Sequence, residues 1–389
     1  MKKRISCLLG IMILFSGCTY FQVRKAYKTA EKGEYTNSLY ALSDILKSNP
    51  SDRRTLDAFE LIYPQGEKEY YDQLDKTRDW GIEGYTKALL NLLRVQEMFY
   101  SLPEESRNSI AVIEPPAAER TSIKRESADS FYKIGNGFRA DIYEDKLRKY
   151  GFYSEAKKYD VDGRKDIAAK YSESMAAAEG RFKLSVNILA GHKEFSDRFQ
   201  SVVRSDIDTY PLFSVNSNKA NISLDIKLSD FVYSPPAVQV YSGIDSYFET
   251  RIRRVMKKVV VKENVNGKVV ERVKYVPVDE EYEVEIFYRF EKFVKTTYAE
   301  YNLNYSLKEI KGNREIAADS VRIRFADEAV WVQYHPITPI RGGYHRFPLS
   351  EGEKYVMGEA EVVRNAMYRG TETINEVLKK LDSNRVIGW

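Results

Sequence analysis

Val259-Val260-Val261-Lys262-Glu263-Asn264-Val265-Asn266-Gly267-Lys268-Val269-Val270-Glu271-Arg272-Val273-Lys274-Tyr275-Val276 reads as a β-hairpin. Asn-Gly supplies the left-handed backbone that a two-residue hairpin turn demands, and the flanks are rich in β-branched residues. The register this implies sets Val265 opposite Lys268. Upstream, Ile222, Leu224, Ile226 and Leu228 alternate with Ser223, Asp225 and Lys227, the two-residue period of a strand with one wet face; Ser234-Pro235-Pro236 is read as its break. Downstream, Tyr282, Val284, Ile286, Tyr288 and Phe290 alternate with glutamates, and Tyr301, Leu303, Tyr305 and Leu307 repeat the habit. A turn at Lys311-Gly312-Asn313 leads to Val321, Ile323 and Phe325, and Val330 to Tyr334 forms a last short strand around Trp331. Seven or eight antiparallel strands, each with one apolar face, must bury those faces against a second sheet or against helices. The expectation is an antiparallel β-rich, sandwich-like domain over residues 215–348.

Before this region the period is helical. Ala26-Tyr27-Lys28-Thr29-Ala30-Glu31-Lys32-Gly33-Glu34-Tyr35, followed by Ser38-Leu39-Tyr40-Ala41-Leu42, Ile45-Leu46 and Asn49-Pro50, resembles the second half of a tetratricopeptide unit. The resemblance implies a tight turn at Gly33, Tyr35 and Leu42 between the two helices, and a stop at Pro50. The family has small residues where Ser38 and Ile45 fall, and Ile45 would push neighbouring helices apart. Gly151, Tyr153 and Ala156 keep the same turn-aromatic-small spacing in a second echo. Between the echoes, Leu89, Leu92, Leu93 and Gln96 mark one side of a helix closed by Leu102-Pro103, and Pro115-Pro116 ends a linker from Ile110. Ala168 to Ala190 and Phe195 to Val203 are read as further helices. The helical region is thus expected over 18–210, and the whole as a multidomain α+β chain. A C-terminal segment, 349–389, holds a helix with Ile374, Val377, Leu378 and Leu381 in an i, i+3, i+4, i+7 stripe that needs a docking surface. Val386-Ile387-Gly388-Trp389 is an apolar terminus to be tucked in or used as a contact tail.

The first eighteen residues address the chain. Lys2, Lys3 and Arg4 precede an apolar run from Ile5 to Phe15 that is too short to span a bilayer stably, and Ser16-Gly17-Cys18 is a small-residue cleavage site. Phe15-Ser16-Gly17-Cys18 resembles the box of bacterial lipoprotein signal peptides, with Phe15 where Leu is commonest. The resemblance implies a signal peptide over 1–17, a diacylated Cys18 and a stable membrane anchor through more than one acyl chain. Thr19 stands where an Asp commonly retains lipoproteins in the inner membrane, so the outer membrane of a two-membrane bacterium is favoured. Cleavage removes Cys7 with the signal, leaving no free thiol for a disulfide framework or a cysteine active site.

The net charge of +4 falls to about +1 once the three leading cations are gone, and about 370 residues remain, enough for two or three cored domains. A nearly neutral chain has no electrostatic case for nucleic acid. Its 29 tyrosines suit half-buried sheet faces and helix grooves as well as recognition surfaces.

Chemical motifs are sparse. There is no Walker loop, G-x-S-x-G, H-E-x-x-H or zinc-binding Cys pair. Gly135-Asn136-Gly137 reads as a helix interruption. Asp160-Val161-Asp162-Gly163 with Asp166 misses the EF-hand positions, since aligning Gly163 to the sixth puts Lys158 at the first and Ala169 at the twelfth, and it reads as a solvated turn. His335 and His345 with Asp327 or Glu328 are a metal or base candidate weighed against loop histidines. Glu281, Glu283 and Glu285 fall on one strand face, a solvated face in preference to a paired-carboxylate site. No cofactor is expected.

Two contact candidates remain. Tyr27 and Tyr40 stand near the start of a concave helical face, with Tyr35 the tyrosine best placed for the core. Arg251, Arg253, Arg254, Lys257 and Lys258 form the sharpest basic cluster, suited to anionic headgroups or an acidic protein, or to guarding a sheet edge against aggregation. The functional expectation is a membrane-tethered, non-enzymatic envelope scaffold or adaptor that binds a protein or peptide. The competing expectation is a cell-wall glycan-binding, or glycan-active, envelope protein that stacks sugars on exposed tyrosines and Trp331.

Overall fold

The structure is a computed structural model and describes residues 19–78, 81–187, 189, 191–265, 268–337 and 349–387. It has an N-terminal region of packed helices, a mixed β-sheet and a C-terminal helix. Contacts divide the chain into two compact units: Met1–Phe182 with Ile207–Ile222 and Glu376–Trp389, and Lys183–Asp206 with Ser223–Asn375.

The first unit is a succession of helices: α1 over residues 19–30, α2 (Tyr35–Ser48), α3 (Arg53–Thr77), α4 (Ile82–Ser101), α5 (Glu104–Ser109), α6 (Ala117–Gly137), α7 (Tyr143–Tyr159) and α8 (Lys165–Ala178). The α1–α2 turn is made at Gly33, with φ of +81°, a backbone that glycine adopts without penalty. Short connections make successive helices neighbours: α2 packs on α3 and α4, α4 on α6, α6 on α7, and α7 on α8. Leu39, Leu42 and Leu46 of α2 meet Phe59, Ile62 and Tyr63 of α3 and Leu89, Leu92 and Leu93 of α4 in one core. Phe59 stacks on Tyr63 at 5.7 Å, and Tyr63 meets Phe99 at 5.6 Å. A second cluster joins Leu90, Phe131, Ile134, Phe152 and Ile167, with Ile387 packed against it. The apolar terminus is therefore tucked in at Ile387; Gly388 and Trp389 lie outside the described residues. Strand β1 (Gly180–Val186) begins in this unit, where Gly180 to Phe182 pair in parallel with Phe213 to Val215 of β2 (Phe213–Val215).

The second unit holds the rest of β1, then β3 (Ile222–Val265), β4 (Lys268–Glu309) and β5 (Arg314–Pro336), hydrogen-bonded in the order β1-β3-β4-β5. Beside β1, Asn187 donates from its backbone N–H to Ile226 and from its side chain to Leu228 of β3. The β4–β5 ladder runs from Glu309↔Arg314 to Tyr288↔Pro336 around the Lys311-Gly312-Asn313 turn, where Gly312 and Asn313 both have positive φ. Its apolar face is covered by α9 (Lys193–Asp208) and α10 (Glu359–Asp382). Phe195 meets Tyr301 edge-on at 5.3 Å, and the Tyr301 hydroxyl donates to the Ala366 carbonyl at 3.2 Å. Helices thus supply the second layer that the alternating strands require.

Several elements differ from the sequence reading. Residues 180–186 are strand, not the tail of a helix, because α8 stops at Ala178. Gly151 is not a turn; it lies inside α7, where a Cβ would come within 2.2 Å of the Arg385 carbonyl oxygen, so the glycine permits a close approach. Gly135 and Gly137 do not interrupt α6 but form its last turn, and the Tyr153 ring occupies the space beside Gly135. The Tyr282–Phe290 and Tyr301–Leu307 segments are one strand, as are the two segments of β5. Ser234-Pro235-Pro236 does not break β3: among the described residues the strand has no β1 neighbour past Leu228, so one of the two successive prolines turns its missing N–H to an edge that has no ladder bond to lose.

Among the described residues β5 reaches only Tyr288 and β1 only Val186, and past them β3 and β4 run on side by side as a two-stranded arm. From Phe287 to Lys268 the arm runs about twenty residues, roughly 65 Å. Arg253 pairs with Glu280 at 2.9 Å, Arg254 with Asp279 at 2.9 Å, and the Tyr288 hydroxyl donates to Asp245 at 3.0 Å. The members of each pair lie equally far from Val265 and Lys268, as the sequence register demands. Asn266-Gly267 itself lies outside the described residues.

Candidate partner-binding groove

A groove of about 1010 Å³ lies along α1 and α2 on the first unit. Thr19, Gln22, Ala26 and Thr29 recur at helical spacing on α1, and Asn37, Ser38, Ala41, Ile45 and Ser48 do so on α2, so each helix gives the groove one face. Their other faces carry Val23 and Ala30, and Leu39, Leu42 and Leu46, into the core. The helices close tightly because the crossing is small: the Ser38 hydroxyl, wholly buried, donates to the Ala26 carbonyl at 2.8 Å. Ile45 does not pry two helices apart. It lines the open groove, half-buried, on the side where a further helical hairpin would stack in a repeat array.

The lining is short-chain and more apolar than polar, with Lys25 on one wall and Glu34 and Asp44 on the other. Glu34 accepts from Asn37 at 3.2 Å, and Asp44 pairs with Lys47 at 3.4 Å. Such a surface offers hydroxyl and amide hydrogen bonds over small residues that let a second backbone come close. Small-molecule sites enclose most of their ligand's surface. This shallow face matches a helix or peptide better.

The sequence candidates are scattered. Tyr27 is half-buried against the core, where burial and then Asp57 push its hydroxyl above the usual range. Tyr40 is 59% exposed, with Lys47 6.0 Å from its ring centre. Neither lines the groove, whose small residues give no strong sequence signal. Tyr35 packs into the core, its Cβ 2.9 Å from where one would stand on Gly66. Cys18 lies outside the described residues, next to Thr19.

The basic cluster sits on the arm. Arg253, Arg254 and Lys257 are paired across the hairpin with Asp279 and Glu280, and Arg251 pairs with Glu249 at 3.4 Å; Lys258 is exposed on the same strand. His335 is 3.7 Å from Glu291, and His345 lies outside the described residues. Among the described residues no three His, Cys, Asp or Glu side chains are grouped to hold a metal. Two of the Asp160–Asp166 acids are held by cations, since Arg125 grips Asp162 through two guanidinium nitrogens and Arg164 joins Asp129 to Asp166, while Asp160 accepts from the Asp162 and Arg164 backbone N–H groups. These pairings hold the Asp162 and Asp166 carboxyls below their usual range.

Carboxylates do converge between α3, α4 and α6, where the Gln96 amide donates to Glu119 at 3.1 Å and to Glu67 at 3.4 Å. Burial, with help from the Glu119 charge, pushes the Glu67 carboxyl upward. The neighbouring cavity, about 260 Å³, is smaller than common ligand pockets, and the Tyr85 hydroxyl caps Glu126 there at 2.6 Å. The cluster ties three helices together. Trp331 is 4% exposed and stacks on Phe293 at 5.1 Å, so it presents no sugar platform.

Comparison of the chain with protein-family models, with curated proteins and with solved structures finds no match. Among the described residues no helix is long and apolar enough to cross a membrane.

Proposed function

We propose that the protein is a lipid-anchored scaffold of a bacterial envelope, held to the membrane through Cys18 and binding a protein or peptide partner on its helical unit. The observation that carries the binding reading is the α1–α2 groove, uncovered among the described residues and built of small residues at the stacking side of a repeat-like array. The anchor reading rests on Phe15-Ser16-Gly17-Cys18, and it sets the lipid one residue from Thr19 at the groove's edge. A partner in the groove would then be gathered next to the bilayer, with the outer membrane favoured. Burial of Trp331 weighs against the glycan-stacking alternative.

Two measurements on the full chain test this. Intact mass of the membrane fraction should show a mature chain starting at acylated Cys18, and Cys18→Ala should abolish that species; an unmodified or different N-terminus overturns the anchor. Ala41→Arg fills the groove from an exposed helical position, and should remove a partner that copurifies in mild detergent while leaving the melting temperature unchanged. Retention of every copurifying protein by Ala41→Arg overturns the groove.

A further inference from the structure

The arm exposes what a folded sheet normally covers. Val240, Ile244, Phe248, Ile252, Met256 and Val260 share one face of β3 because strand side chains alternate, and each is more than half exposed. Among the described residues no strand pairs with the outer edge of β3 here, since β1 ends at Val186. A long, flat, apolar edge of this kind is a template for another strand.

The order of residues along that edge says which strand. The six apolar residues are disposed symmetrically about Thr250: Phe248 and Ile252 two positions away, Ile244 and Met256 six, Val240 and Val260 ten. The opposite face keeps the same centre, with Glu249 and Arg251 one position to either side and Tyr247 and Arg253 three. We propose that β3 pairs antiparallel with β3 of a second copy of this chain, on a two-fold axis through Thr250.

In that register Phe248 faces the second copy's Ile252, Ile244 its Met256 and Val240 its Val260, so every apolar residue of the row meets another. Glu249 faces the second copy's Arg251, and each Tyr247 ring lies beside an Arg253 guanidinium. The contact is self-complementary, as a two-fold interface must be. Neighbouring registers serve less well. Centring on Ile252 sets Arg251 against Arg253, and centring on Phe248 leaves Val260 against Pro236. The result is a four-stranded ribbon in which the lysines and arginines set the register and oppose other pairings. A partner of unrelated sequence would not require this symmetry.

Sedimentation of the detergent-solubilised full chain tests the idea. The parent chain should be dimeric at micromolar concentration. Glu249→Arg alone and Arg251→Glu alone should each weaken association by roughly tenfold or more, because each sets like charges across the axis. An equimolar mixture of the two variants should regain the dimer, since each Arg then faces a Glu. Both variants lose the 3.4 Å Glu249–Arg251 pair within the chain, so a purely intrachain role leaves the mixture no better than its parts. With Cys7→Ser and Cys18→Ser in place, Thr250→Cys should form a disulfide dimer on oxidation, the paired strands bringing the two Cα atoms within bridging range. Ser242→Cys, well off the axis and equally exposed, should not. A monomeric parent, a mixture that stays monomeric, or cross-linking at Ser242 as ready as at Thr250 overturns the proposal.

Discussion

The inner and outer parts of β4 obey one sequence rule and meet opposite fates. Tyr301, Leu303 and Leu307 alternate with polar residues and are almost wholly buried; Val273 and Tyr275 alternate with Arg272 and Lys274 and are 49% and 63% exposed, and Val269 near the tip is 67% exposed. The inner part has β5 along one edge and α10 across its face, whereas among the described residues the outer part pairs only with β3. Alternation specifies that a segment is a strand with two unlike faces. Whether the apolar face is covered depends on elements far away in the chain.

The sharpest way to break this comparison is to remove the same kind of side chain from both parts. Leu303→Ala should lower stability by about 2–5 kcal/mol, the cost of transfer plus an unfilled cavity, whereas Val269→Ala should stay within about 0.5 kcal/mol. Urea unfolding midpoints of the two variants measure the gap, and equal losses would mean that the outer part is covered. A smaller effect comes from adding volume where the inner part is tightest. A Cβ on Gly370 would fall 1.9 Å from the Tyr301 hydroxyl oxygen and 3.0 Å from Phe199, so Gly370→Ala should cost about 1–3 kcal/mol through overpacking. Gly352→Ala, with open space around the glycine, should cost much less in the same assay.

The smallest effect sharpens the contrast between the sheet and the helical unit, whose core admits charge. The Glu67 carboxyl is raised above its ordinary range, so the folded chain holds a proton that the unfolded chain gives up. That contribution to stability is complete below the ordinary carboxylate range and is lost as pH rises through the raised value. Glu67→Gln should therefore lift the melting temperature by about 1–2 °C at neutral pH and leave it unchanged at a pH below the ordinary carboxylate range. Calorimetry at the two pH values checks the sign; a gain confined to the acid side would contradict it.

Much of the fold was legible because the signals were local. Gly33 and Lys311-Gly312-Asn313 turn the chain where a positive φ is required, and Leu102-Pro103 closes α4. The register around Val265 and Lys268 followed from two turn residues. Failures arose where a residue answers to something distant. Gly151 mimics an inter-helix turn but makes room for the Arg385 backbone, and Pro235-Pro236 mimics a strand break where an unpaired edge makes proline harmless. The groove was harder still, since Thr, Ala, Ser and Asn mark a close-approach surface only once two helices are seen side by side. Large aromatic residues drew attention to Tyr27 and Tyr40, whereas the concave lining is made of small ones.

The contact between Gly151 and Arg385 also bears on the order in which the molecule can be made. Arg385 is synthesised about 230 residues after Gly151, yet both belong to the same compact unit. A ribosome delivers α7 long before the backbone that completes its packing, so the unit begun first is closed last, against the usual sequence in which N-terminal domains finish early.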